Sequence, residues 1–198
     1  MLCKYLGSIL DTENDIKRRK TLALVAFNSL KHIFESRRAT LEVKIRLFNS
    51  HIQSIFLYNS ELWTLTKSLK NTVDVFQRNT LRKIINIRWP NKIRNEDLYE
   101  KCGVKEWSKI VKERRLRWYG HLLRLANHTP AKRALKEARR EVKKPKGGQK
   151  LTWLKLIDRD LEKVTMVVVN GGGYKPSHEQ LAQNRSIWQE VVNRAMSS

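Results

Sequence analysis

The stretch TLEVKIRLFNSHIQSIFLYN, residues 40–59, carries the clearest fold signal in this chain of 198 residues. Its apolar residues recur at alternating steps of four and three, and Asn59 continues the spacing. They are Leu41, Ile45, Phe48, Ile52 and Ile55. Such steps place one side chain per turn on the same face of an α-helix, and Thr40 is suited to cap its start. The stretch therefore predicts a helix whose apolar stripe belongs to a core.

Helical patterns continue on both sides of this stretch. Apolar stripes predict a helix over residues 14–36, a basic helix over about 105–126, and further helices that begin at the following residues: Ser68, Asn95, Thr129 with Pro130, Thr152, and Ser177 with Gln180. Gly103 is suited to stop the short helix that starts at Asn95. Residues 4–10 predict a strand, and residues 167–173 fit either a strand or a loop. The predicted fold class is mainly α: a helical bundle with a short N-terminal strand and a helical basic extension.

The charge of the chain indicates a polyanionic partner. The formal net charge is +22, and residues 101–150 hold 17 Lys and Arg against 4 Asp and Glu. An excess of this size repels itself unless a polyanion offsets it, so we expect RNA, DNA or an RNA–DNA hybrid as partner. A membrane surface is the rival polyanion. However, no apolar run approaches the roughly 20 residues that span a bilayer, so we expect no membrane association.

The cysteines and the N-terminus indicate the compartment. Cys3 and Cys102 are too few for a disulfide framework, which fits a reducing environment. Lys4 and the charges from Asp11 onward interrupt any apolar region of a signal peptide. We therefore expect an intracellular protein, nuclear or cytoplasmic or both, that is not secreted. The sequence gives no indication of the oligomeric state.

Residues 113–124, ERRLRWYGHLLR, are the strongest candidate for binding nucleic acid. Guanidinium groups bind phosphates with two parallel hydrogen bonds, and aromatic rings stack on bases. The candidate residues are Arg114, Arg115, Arg117, Trp118, Tyr119, His121 and Arg124. The other interpretation is an amphipathic helix whose Trp118 joins the core while the arginines are solvated. Lys143, Lys144 and Lys146 lie in a basic linker that would assist binding.

No catalytic or metal-binding constellation is convincing. Two-metal chemistry needs carboxylates that converge on ions about 4 Å apart. Asp158 and Asp160 are two residues apart on a predicted helix, so they should point to different faces. A zinc site built from Cys102, His121 and His128 lacks a fourth ligand and a close cysteine pair. We therefore predict no catalytic residue, no metal site and no cofactor in this chain.

Four motifs, in order along the chain, resemble one protein family. They are KYLGSIL at residues 4–10, LYNSELWTLT at 57–66, LRKIINIRW at 81–89 and RLRWYGHLLR at 115–124. Thr152 with Trp153, Asp160 with Leu161, and Arg185 with Trp188 fit its tail. The set resembles the C-terminal, thumb and post-thumb part of RTE-like non-LTR retrotransposon (LINE-type) endonuclease–reverse transcriptases, which are RNA-directed DNA polymerases.

The resemblance implies a division of the chain into five segments. Residues 1–13 would be a remnant of a palm strand near the primer grip, with Tyr5, Leu6 and Gly7 as the primer-grip-like residues. Residues 14–90 would be a thumb-like helical bundle that holds the template–primer duplex. Residues 91–139 would be a basic helical extension, 140–150 a linker and 151–198 a C-terminal helical tail.

The resemblance also bears on activity. The catalytic aspartate pair of the family lies on a palm hairpin upstream of the segment that residues 4–10 resemble. We therefore expect this chain to be catalytically inactive alone, with Mg²⁺ required only by the full-length family enzyme. The function implied is gripping of nucleic acid as part of a polymerase. The alternative is a domesticated or relic basic protein that binds RNA or DNA and has no role in polymerisation.

Overall fold

The computed structural model describes residues 4–5, 7–87, 89–140, 151–165 and 176–197. The described part of the chain is mainly α-helical, which confirms the predicted fold class. Its strands are β1 (Lys4–Tyr5) and β2 (Ser8–Ile9). Its α-helices are α1 (Thr12–Ser29), α2 (Lys31–Glu35), α3 (Leu41–Leu47), α4 (Ser54–Phe56), α5 (Lys67–Ile84), α6 (Asn95–Cys102), α7 (Trp107–Arg124), α8 (Pro130–Arg139), α9 (Trp153–Thr165), α10 (His178–Gln183) and α11 (Arg185–Ser197). A π-helical turn (Phe48–Gln53) joins α3 to α4, and a 3₁₀ turn (Ser60–Leu62) follows α4.

The chain forms two compact units. Unit 1 comprises Met1–Ser60 and Leu65–Ile110, and unit 2 comprises Glu61–Thr64 and Val111–Ser198. Each unit has its own set of buried apolar side chains. The division of the chain into palm remnant, thumb, extension, linker and tail is a functional one and stays a prediction. The linker residues 141–150 and the ambiguous segment 167–173 lie outside the described residues.

The N-terminal strand predicted over residues 4–10 is a hairpin of two very short antiparallel strands, in which Lys4 pairs with Ile9. Gly7 reverses the chain at φ +79°, a left-handed conformation that glycine adopts without steric cost. The Gly7 carbonyl accepts hydrogen bonds from Arg18 Nη1 and from Arg19 Nη2, the latter at 2.7 Å. The hairpin is therefore tied to helix α1 of unit 1.

The stretch that predicts the fold is helical, but its register shifts within the π-helical turn. Ile45, Phe48 and Ile52 are buried as the stripe predicts. After them Phe56 is fully buried, whereas Ile55 is partly exposed. A π turn holds more residues than an α turn, so the next core position falls one residue later than regular helical spacing predicts.

The core of unit 1 centres on Trp107, which is fully buried. Its ring lies 4.5 Å from that of Phe56, 5.6 Å from that of Phe48 and 5.9 Å from that of Phe76, measured between centroids. Its indole Nε1 donates a hydrogen bond to Gln53 Oε1 at 2.9 Å. A buried indole needs such an acceptor, so the cluster both fills the core and satisfies its polar atom.

Helix α7 begins in unit 1, where side chains from α5 cap its first turn. The backbone N–H of Trp107 donates to Gln77 Oε1 at 2.8 Å, and that of Ser108 donates to Asp74 Oδ1 at 2.9 Å. Gln77 is fully buried and its Nε2 also donates to the Lys105 carbonyl at 2.9 Å. These bonds satisfy two of the four N–H groups that a helix start leaves unpaired. Burial raises the pKa of the Asp74 carboxyl.

Several predicted helix caps are confirmed, whereas the single helix predicted over residues 14–36 is divided at Leu30 into α1 and α2. Thr40 and Thr129 accept from the N–H groups of Val43 and Lys132, and Ser177 forms a capping box with Gln180. Gly103 ends α6 at φ +61°.

Asn95 is the exception among the predicted caps. It is the first residue of α6, and Arg94 occupies the cap position without a side-chain bond.

The core of unit 2 is built around a contact between α7 and α11. The indole of Trp188 lies against the backbone of α7 at Gly120, and its Nε1 donates to the Leu116 carbonyl at 3.0 Å. Other buried members of this core are Tyr119, Leu122, Leu123, Leu135, Ile157, Leu161, Leu181, Ala182, Val191, Val192 and Ala195. Gly120 thus has a packing role, because a side chain there would occupy the place of the indole.

Candidate nucleic-acid interface

Helix α7 presents a basic flank in unit 2. At 100° per residue, positions 114, 117, 121 and 124 fall within about 80° of one another around the helix axis. Arg117 and His121 are exposed, and Arg114 and Arg124 are half-buried. Helical spacing predicts this shared flank, and the structure confirms that residues 107–124 form one continuous helix.

Neighbouring groups orient two of these guanidinium groups. Arg117 Nη2 lies 2.6 Å from Glu113 Oε1, one turn earlier in the helix. Arg124 Nη1 donates to the Ala182 carbonyl at 3.1 Å, which ties the flank to α10. Such contacts restrict the side chains before any ligand arrives, and they leave other N–H groups of each fork as potential donors to phosphate.

Trp118 has a mixed environment. It is partly buried and packs against the core of unit 2, as its apolar neighbours predict. Its ring also stacks on His121, with centroids 5.1 Å apart. With Leu62, Leu122, Trp153 and several alanines it lines an apolar groove of about 460 Å³ within unit 2. Trp118 therefore packs between the core of unit 2 and His121 of the basic flank.

Arg115 and Tyr119 are corrections to the predicted site, because both are buried inside unit 2. Arg115 Nη2 forms an ion pair with Asp160 Oδ2 at 2.5 Å. The Tyr119 hydroxyl accepts a hydrogen bond from Arg139 Nη2 at 2.6 Å, and burial raises the pKa of Tyr119. Both positions lie about 100–140° around the helix from Arg114, so they face the core rather than the basic flank.

The remaining predicted site residues divide into two groups. Tyr5 and Gly7 belong to the N-terminal hairpin of unit 1. Leu6, together with the three linker lysines Lys143, Lys144 and Lys146, lies outside the described residues. The assignment of Tyr5, Leu6 and Gly7 to a primer grip stays a prediction.

A buried lysine completes the end of α7. Lys132 is 3% exposed, and its Nζ donates to the Leu123 carbonyl at 2.7 Å and to Glu179 Oε1 at 2.9 Å. The carbonyl belongs to the last turn of α7, where partners within the helix are missing. An ammonium there also complements the negative end of the helix dipole. Lys132 thus links α7 to α10 through Glu179.

This pair gives unit 2 an acid-sensitive contribution to stability. The hydrogen bond from Lys132 lowers the pKa of Glu179 below its ordinary value of 4.5. A depressed folded-state pKa stabilises the fold above pH 4.5, and this stabilisation is lost as the pH falls through the folded value. In urea titrations, Glu179→Gln should therefore be less stable than wild type at pH 7, and the difference should shrink below pH 4.5. A difference that stays constant down to pH 3 would contradict this linkage.

The carboxylates of Asp158 and Asp160 do not converge on one site. Asp158 pairs with Arg139 at 3.2 Å, whereas Asp160 pairs with Arg115, so the two carboxylates engage separate arginines. Among the described residues no group of three or more His, Cys, Asp and Glu side chains is arranged to hold a metal ion. Cys102 is buried, and burial raises the pKa of its thiol. None of the described helices has the length and apolar character that a bilayer crossing requires.

The chain is similar to a protein of transposon origin. The chain is 29% identical over 128 residues to a Caenorhabditis elegans protein described as uncharacterized and transposon-derived. The match covers 61% of this chain and 46% of the relative, so the chain spans less than half of that protein. No family model and no solved structure matches the chain. The similarity points to a transposon-related origin.

Proposed function

We propose that the basic flank of α7 binds the phosphate backbone of nucleic acid. The observation that carries the proposal is the alignment of Arg114, Arg117, His121 and Arg124 on one side of a helix whose other side is packed in the core of unit 2. A helix anchored in this way holds its cations at fixed intervals, which favours contacts with successive phosphates. Phosphate contacts carry no sequence information, so binding should be independent of sequence.

We further propose that the protein acts as the nucleic-acid-gripping, C-terminal part of a retrotransposon reverse transcriptase. The ordered motifs from residue 4 to Trp188 and the transposon-derived relative support this proposal. In this role the ligand is the template–primer duplex. The net charge of +22 favours any such polyanion.

Replacing Arg114, Arg117 and Arg124 together by Gln should weaken duplex binding and flatten its salt dependence. Each lost phosphate contact should lower the slope of log K against log salt by about 1. Fluorescence anisotropy with a labelled RNA–DNA hybrid between 50 and 300 mM salt would measure both quantities. Circular dichroism should show unchanged helicity.

Two comparison variants make this test specific. Replacing Lys67, Lys101 and Arg194 by Gln removes the same charge from exposed positions on other helices and should change the slope less. Glu113→Gln removes the carboxylate that competes with phosphate for Arg117, so it should strengthen binding. Equal slopes for both triple variants would mean that the duplex responds only to net charge, and the proposal would fail.

A further inference from the structure

Unit 1 contains a polar cleft that is separate from the α7 flank. Its volume is about 630 Å³, which lies within the range typical of small-ligand sites. It is lined by Phe34, Glu35, Ser36, Arg37, Lys44, Lys83, Asn86, Trp89 and Asn91. These residues come from the end of α2, from α3, from the end of α5 and from the loops beside them.

The charge of the cleft favours an anion. Arg37, Lys44 and Lys83 contribute three cations, against one carboxylate from Glu35. That carboxylate lies 3.8 Å from Lys31 Nζ, so a neighbouring lysine already partly offsets its charge. Three cations that line one concave surface with a single carboxylate leave an excess of positive charge, which a bound anion would offset.

Trp89 gives the cleft an exposed aromatic wall. Its relative exposure is 86%, the highest among the large hydrophobic residues that the structure describes as exposed. Trp63, Trp107 and Trp188, in contrast, are at most 3% exposed. An indole left in water gains free energy when a flat apolar surface covers it, and a nucleobase is such a surface.

The chain reversal after α5 brings these groups together. Asn86 adopts φ +55°, a left-handed conformation in which asparagine is among the favoured residues. It lies two residues after the end of α5, whose last turn holds Lys83, and it precedes Trp89 and Asn91 in the chain. The amides of Asn86 and Asn91 offer donors and acceptors of the kind that base edges use.

We propose that this cleft binds an unpaired nucleotide of single-stranded nucleic acid, with a phosphate among Arg37, Lys44 and Lys83 and a base stacked on Trp89. Cations beside an aromatic platform are the arrangement by which proteins hold single strands without reading their sequence. The proposal does not depend on duplex binding by α7, because the cleft lies wholly within unit 1.

The test compares Trp89→Ala with Trp89→Phe in the full chain. A labelled twelve-residue oligo(dT) and the same backbone without bases serve as probes. Because stacking contributes about 1–3 kcal/mol per base, Trp89→Ala should bind oligo(dT) at least about fivefold more weakly, whereas Trp89→Phe should stay close to wild type. Binding of the abasic probe should be unchanged in both variants. The exposed position of Trp89 means that either substitution should leave the fold intact.

A charge variant tests the phosphate half of the proposal. Replacing Arg37, Lys44 and Lys83 by Gln should weaken the binding of both probes. It should also lower the slope of log K against log salt by about 0.7 per lost contact. The proposal is overturned if Trp89→Ala weakens oligo(dT) and the abasic probe equally, or if neither changes. It is also overturned if Trp89→Ala weakens binding to anionic phospholipid vesicles but not to oligo(dT), because that result would assign the cleft to a membrane surface. In the variant with Arg114, Arg117 and Arg124 replaced by Gln, Trp89→Ala should still weaken oligo(dT) binding by the same factor. The two proposals can therefore fail separately.

Discussion

Replacing Asp160 by Ala should lower the free energy of unfolding of unit 2 by about 3–5 kcal/mol. Asp160 forms the ion pair with Arg115, and Lys112 Nζ lies 3.9 Å from its other carboxylate oxygen. The Arg115 side chain is 5% exposed, and its Nε and Nη1 have no hydrogen-bond partner among the described residues. Without Asp160 a buried guanidinium would lose its counter-charge, and the loss of that partner dominates the cost.

Asp158→Ala is the matched control for this substitution. Asp158 lies on the same helix and also pairs with an arginine, but its side chain is 49% exposed and that of Arg139 is 39% exposed. Exposed ion pairs contribute between about 0 and 1 kcal/mol, so the free energy of unfolding of this variant should stay close to that of wild type. Urea titrations followed by circular dichroism would measure both. Equal losses in the two variants would show that burial of the Arg115 pair has no energetic consequence.

Replacing Gly120 by Ala should destabilise unit 2 by about 1–3 kcal/mol, although alanine favours a helix over glycine by about 1 kcal/mol. A Cβ there would lie 2.5 Å from Cδ1 and 2.6 Å from Cε2 of Trp188, closer than real Cβ contacts. The indole is rigid and its Nε1 is fixed on the Leu116 carbonyl, so it cannot give way without losing that bond. Thermal unfolding should show a lower midpoint.

A double-mutant cycle isolates the clash. In a Trp188→Leu background the indole is gone, so the added methyl group of Gly120→Ala should cost less than in wild type or should stabilise the helix. If Gly120→Ala costs the same with and without Trp188, the loss comes from elsewhere in α7. The cycle therefore tests the reason for glycine in the motif RWYGH at residues 117–121.

The parts of the fold that follow from neighbouring residues could be predicted from the sequence. The caps at Thr40 and Ser177 depend on side chains three residues from the groups they bond, so the local pattern suffices. The basic pattern predicted the start of α7 to within two residues, near residue 105, but it could not predict the groups that cap this start, because Asp74 and Gln77 lie about thirty residues away in the chain. The buried position moves from Ile55 to Phe56 because of the π-helical turn, and no local sequence pattern predicted that turn.

In the candidate site too, features set by nearby residues could be predicted, whereas contacts between residues far apart in the chain could not. Helical spacing grouped Arg117 with His121 correctly on one flank. The same spacing separates Arg115 from Arg114 by about 100° around the helix axis. Because arginine side chains are usually solvated, the burial of Arg115 in the core was not expected. Its partner Asp160 is 45 residues distant, and only the packed structure brings them together. The cleft around Trp89 escaped prediction for the same reason, since its cations come from three separate helices and loops.

The discontinuous path of the chain has a consequence for how the protein is made. Residues 61–64 belong to unit 2, although the chain continues through unit 1 until residue 110. The Glu61 carbonyl accepts its hydrogen bond from Trp153 Nε1, 92 residues later, at 2.8 Å. At synthesis rates of about 5–20 residues per second, that partner leaves the ribosome roughly 5–18 s after Glu61. Residues 61–64 are thus the first part of unit 2 to be synthesised, and the Glu61 carbonyl can form this hydrogen bond only after Trp153 has followed.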